Sequence, residues 1–233
     1  MHCIRWFNRT AAAALSFIVL FYPGPCLQAQ GNPSNQNALS FLFAVGAQTA
    51  KQGDSKPVPV DGNTVLASGD RIKFFLEPKS DGYFYLFHLG PNSDLSLLYP
   101  PDLQKSHMSA GQPLYVPGGP MWFELDAASG IEKFFFLASK SRLSQLENLY
   151  ARHTTLKDRA DIQSSTKAVL DEISRLNKER KSLAAPAEKP VRIAGKFRAP
   201  STTDSATLPD ITPFAKEITA KEFYGKTFTI DHR

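Results

Sequence analysis

The stretch Arg71–Leu89, RIKFFLEPKSDGYFYLFHL, decides the fold class. Its first seven residues alternate, with Ile72, Phe74 and Leu76 on one face and Lys73 and Glu77 on the other. That two-residue period predicts a strand with one buried face. Tyr83–Leu89 is apolar on both faces, which predicts a strand in the middle of a sheet. Between them Pro78–Gly82 (PKSDG) is turn chemistry, with Asp81-Gly82 offering a residue that tolerates positive φ. The two strands together predict a β-hairpin.

Upstream, Ala38–Gly46 (ALSFLFAVG) predicts a further strand, and Gln48–Asn63, with Pro57, Pro59 and Asp61-Gly62, a loop. Downstream come short strands at Leu95–Tyr99, Leu114–Val116, Met121–Leu125 and Glu132–Ala138, each set off by a Gly/Pro/Asp/Asn cluster. No helical period intervenes, which disfavours parallel α/β and predicts an antiparallel β-sandwich of immunoglobulin-like type over 38–141. After Ser139 the period changes. Leu143, Leu146, Leu149, Tyr150 and Leu156, then Ile162, Val169, Ile173, Leu176 and Leu183, predict amphipathic helices within an insertion over 142–184. Three seven-residue repeats are few for a coiled coil, so the apolar stripe is expected on the protein's own sheet rather than on a partner helix. Residues 185–221 are expected to be a linker with one extra strand at Val191–Arg198. In Lys221–His232 the apolar Phe223, Phe228 and Ile230 are set among the polar Thr227, Thr229 and Asp231, which predicts a closing strand over 222–233 that returns to the sandwich.

The N-terminus has the layout of a secretory signal over 1–29: Arg5 and Arg9, an apolar stretch from Ala11 to Tyr22, the breaker Pro23-Gly24-Pro25, and Ala29 at the cut. The stretch is short of the roughly 20 residues that a spanning helix needs, so no stable membrane span is expected after cleavage. Cleavage would remove Cys3 and Cys26, the 2 cysteines of the chain, and with them any disulfide, thiolate metal site or cysteine nucleophile. The formal charge would fall from +5 to +3, because Arg5 and Arg9 leave and no acid does. So small an excess does not point to nucleic acid. With 42% hydrophobic residues the chain is too apolar to be wholly disordered.

Several ordered motifs resemble the bacterial family called domain of unknown function 4384. They are Leu66–Phe74 (LASGDRIKF), Asp81–Phe87 (DGYFYLF), Leu97–Pro100 (LLYP), Ala110-Gly111, Gly130–Lys133 (GIEK) and the ending Lys226–Arg233. The resemblance covers about Ala38–Ser141 and the tail. It implies an exported β-sandwich accessory module and brings no catalytic residues with it. The motif residues read as structural. Gly69 and Asp70 make a turn before a strand, Tyr83 and Tyr85 bury their rings and satisfy their hydroxyls, and Pro100, Gly111, Gly130 and Glu132 sit at or beside turns.

No G-x-S-x-G, H-E-x-x-H, Walker-type or EF-hand pattern occurs. His88, His107, His153 and His232 are dispersed, so neither a metal nor a cofactor is expected. Asp81, Asp94, Asp102 and Asp126 fall in turns, where carboxylates usually cap. Trp122 is expected inside a strand, as core or rim. The leading expectation is an exported, non-enzymatic binding or scaffold module of the cell envelope whose partner is another envelope protein. The alternatives are an envelope hydrolase acting through loop carboxylates and a regulatory subunit of a catalytic partner.

Overall fold

The computed structural model describes residues 38–50, 56–61, 64–181, 187–190 and 210–233. The expected export signal and the expected strand at 191–198 lie outside them. Two sheets stack face to face. The first has the order β11 (Ala187–Pro190), β12 (Lys216–Ala220), β1 (Leu39–Gln48), β4 (Arg71–Pro78), β8 (Leu114–Val116); β2 (Val58–Pro59) also pairs with β1 and β9 (Phe123–Glu124) with β4. The second has the order β3 (Val65–Leu66), β13 (Phe223–His232), β10 (Gly130–Ser139), β5 (Gly82–Leu89), β6 (Leu95–Tyr99), and β7 (His107–Met108) also pairs with β5. The ladders are antiparallel apart from the two-residue pairing of β3 with β13. The fold is the expected sandwich, with the C-terminal strand inside it.

Alternation builds the core. Phe41, Phe43 and Val45 of β1 and Phe74 of β4 face Phe84, Phe134, Phe136 and Phe228 of the second sheet. The Phe43 and Phe136 rings stack at 4.1 Å between centroids, and Phe74 meets Phe134 at 5.3 Å. Each such side chain contributes about 1.5–3 kcal/mol by leaving water. The outer faces are apolar too, and each has a cover. Helices α1 (Ser144–His153) and α2 (Arg159–Lys181) lay Leu146, Val169, Ile173 and Leu176 on Tyr85, Phe87 and Leu137, so the helical stripe packs on the chain's own second sheet. Asp158 caps α2 by accepting from the Ala160 and Asp161 amides. On the first sheet, Leu42, Ala44 and Phe75 lie under Ile211 and Ala215.

The expected hairpin does not form. β4 pairs with β1, β8 and β9, and β5 with β10, β6 and β7, so residues 78–82 cross from one sheet to the other. The crossing is anchored to β1: the Lys79 and Ser80 amides donate to the Ser40 carbonyl, and the Ser40 amide donates to Ser80 Oγ. Both strands are buried on two faces, so each needs covers above and below as well as two edge partners, which one shared hairpin cannot supply. For the same reason Lys73 and Glu77 are buried rather than solvated. Gly82 is not among the positive-φ glycines, whereas Gly69, Gly111 and Gly130 are. Gly130 belongs to β10 rather than to a turn, and Glu132 lies within that strand as expected.

Candidate functional site

The motif residues tie loops to strands. Asp70 is 5% exposed, and its carboxylate accepts from the Ala50 amide at 2.8 Å and the Ala67 amide at 2.9 Å. Gly69, at φ +84°, donates to the Leu125 carbonyl. Asp81 accepts from the Ala110 amide, and the Gly111 amide donates to the Pro78 carbonyl. Gly82 opens β5 opposite Met108. Tyr83 sets its ring edge on His107, and Pro100 is buried behind a cis peptide bond. Tyr85 is wholly buried, and its hydroxyl donates to Glu147 at 2.7 Å. Residues 65–142 match the model of the family described as domain of unknown function, DUF4384. The match begins after β1 and stops before α1, short of the upstream strand and of the tail. No curated protein and no solved structure matches the chain.

Three buried ionisable centres join the DUF4384 segment to itself or to the rest of the chain. The first is Glu132, 5% exposed on β10. Its Oε2 lies 2.5 Å from His88 Nε2, and its Oε1 lies 3.4 Å from Nδ1 of His232, which is 1% exposed. His232 Nε2 reaches the exposed Ser68 Oγ at 3.2 Å. Ser68, His232 and Glu132 thus stand in the order of nucleophile, base and orienting acid. The Gly69 and Asp70 amides that follow Ser68 are not free to hold an oxyanion, because they donate to the Leu125 and Ala67 carbonyls. Two of the dispersed histidines, His88 and His232, therefore meet through one carboxylate. Among the described residues, no group of three or more His, Cys, Asp or Glu side chains is arranged to hold a metal ion.

The second centre is Glu147 on α1, which accepts from Tyr85, from Ser106 Oγ at 3.0 Å and from Arg142 Nε at 2.6 Å. Burial, and then the hydrogen bond to Glu147, push the Tyr85 hydroxyl pKa up. The third is Lys73, whose Nζ donates to the Gly119 and Met121 carbonyls at 2.5 and 2.6 Å beneath Tyr115 and Trp122. Trp122 precedes β9 rather than lying in a strand, and it roofs this site. Burial lowers the Lys73 pKa to about 8. The loop carboxylates are used locally: Asp102 accepts from the Gln104 amide and Asp126 from the Ala128 amide.

Outside the matched segment the sandwich is open at one side. A groove of about 340 Å³ has walls of Phe43, Val60, Phe214, Ile218 and Phe228. Lys216 and Lys226 stand in it, both at inward positions, since Lys216 is opposite Phe43 in the β1–β12 ladder and Lys226 opposite Phe136 in the β10–β13 ladder. Glu188 of β11 takes hydrogen bonds from Tyr224 at 2.8 Å and from Lys226 at 3.2 Å. Burial alone would raise the Glu188 pKa, but these partners outweigh it and hold it low. Lys216 carries no sequence signal, because β12 falls within the stretch that reads as linker.

Proposed function

We propose that this chain is an exported, non-enzymatic binding or scaffold module of the bacterial cell envelope. The observation that carries the reading is the groove between the sheets, apolar within and lined at its mouth by inward lysines. The dispersal of the ionisable groups also supports it. Glu132, Glu147 and Lys73 occupy three separate places, each closed by structural partners, where an active site would gather such groups in one cavity. Arg5, Arg9, the apolar stretch and Ala29 support export. No helix among the described residues is long and apolar enough to cross a membrane.

The test is a pull-down from native periplasm with the processed protein, which should retain an envelope protein in stoichiometric amount. Intact mass should correspond to cleavage near Ala29; a full-length or lipid-modified mass would count against export by this route. The hydrolase reading draws on the Ser68–His232–Glu132 chain alone. A fluorophosphonate should leave Ser68 unmodified, and labelling that vanishes in Ser68→Ala would displace the module reading in favour of the hydrolase.

A further inference from the structure

Among the described residues, strand β13 has one complete neighbour. It pairs with β10 along Phe223–His232, while β3 pairs only with Asp231 and His232. Residues 225–230 have no second strand among the described residues. The direction of the free groups follows from the ladder. The Asp231 amide donates to the Thr64 carbonyl, on the side away from β10. Backbone groups alternate with period two, so the Thr229, Thr227 and Gly225 amides point to the same open side. Thr227 is exposed.

Two grooves flank this edge, and Thr227 lines both. On the inner side is the groove between the sheets with Lys216 and Lys226. On the outer side is a groove of about 310 Å³ between α2 and the sheet, lined by Phe135, Leu170, Ile173, Asn177 and Lys178. The Asn177 Oδ1 atom there is buried without a hydrogen-bond partner.

We propose that the free edge of β13 takes an extended segment of a partner protein, apolar and acidic in composition, as an added strand. This deepens the binding-module reading and depends on it. An added strand satisfies the outward amides and carbonyls of 225–229. Its side chains alternate between the two faces, so they enter the inner and outer grooves in turn. Lys178, Lys216 and Lys226 stand at these grooves against the acids Asp61 and Glu188, which favours an acidic guest. They also disfavour a second copy of this chain, whose β13 would bring the same lysines to the junction.

The test selects from a displayed library of eight-residue peptides on the processed protein. Enriched peptides should be strand-forming and acidic. They should slow amide exchange at Gly225, Thr227 and Thr229 and bind Thr227→Pro about tenfold more weakly. Proline there removes one outward amide and leaves the β10 ladder intact. Lys178→Glu and Lys216→Glu, both at exposed positions, should weaken binding without altering the thermal midpoint, and they serve if the proline variant does not fold. Absence of enriched peptides, equal binding by all these variants, protection of other amides, or a concentration-dependent dimer protected at these same amides would each overturn the proposal. An envelope partner retained equally by wild type and Thr227→Pro would end strand addition and leave the module reading standing. Labelling of Ser68 would end the module reading and strand addition with it.

Discussion

Lys73 places an ammonium group where the first sheet would accept a leucine. The side chain is wholly buried, and two carbonyls and two aromatic rings replace its water. Its folded pKa, about 8, lies below the 10.5 of an unburied lysine, so between these values the unfolded chain binds more protons than the folded one. The penalty for burying the charge is therefore complete below pH 8 and is relieved as pH rises. Wild type should gain on the order of 1–2 kcal/mol relative to Lys73→Met between pH 8 and 10, measured by urea denaturation at each pH. A parallel course for the two proteins would show that the amine is not desolvated. The glycines of the motifs act differently from one another. A Cβ at Gly82 would come within 2.9 Å of Leu39 Cδ1 and 3.2 Å of the Ser139 carbonyl, so Gly82→Val is expected to cost about 1–3 kcal/mol through crowding of β1 and β10. Gly130, at φ +150°, would set its Cβ 2.6 Å from Pro91 Cβ, and even alanine there should lower the denaturation midpoint.

At the scale of elements β13 governs stability, because it lies between β3 and β10 and presents Tyr224, Phe228 and Ile230 to the core. Phe228→Ala should cost about 3–5 kcal/mol in equilibrium unfolding, a large part of the stability of an ordinary domain. Removal of residues 222–233 should abolish cooperative thermal unfolding; a transition at the full-length temperature would reduce the strand to an appendage. Most strands were legible in the sequence because each carries its own alternation between turn residues, as at Leu95–Tyr99 and Leu114–Val116. Pairing was not. Lys73 and Glu77 read as a solvent face because their covers, Trp122 and the 211–215 segment, lie far along the chain. The 78–82 turn reads as a hairpin because nothing local says that Ser40 will hold it. β11 and β12 lie in the stretch that reads as linker, and β3 is only two residues long.

For the whole molecule, residues 38–141 expressed alone lack β12 beside β1 and β13 beside β10. They should give a molten or aggregated product, read as lost near-ultraviolet dichroism. The candidate sites were hidden for a related reason. His88, Glu132 and His232 are dispersed in sequence, as are Phe43, Lys216 and Lys226; pairing of β5, β10 and β13 within the second sheet gathers the first set, and closure of the two sheets gathers the second. The placement of β13 also sets an order in time. The ribosome makes β3 and β10 long before β13, their shared neighbour, which brings with it His232, the residue that plugs the Glu132 site. Until β13 has been made, β10 and β3 lack the strand that joins them. A sheet built this way gains its full resistance to local opening, and so to proteolysis, only once that strand has joined it.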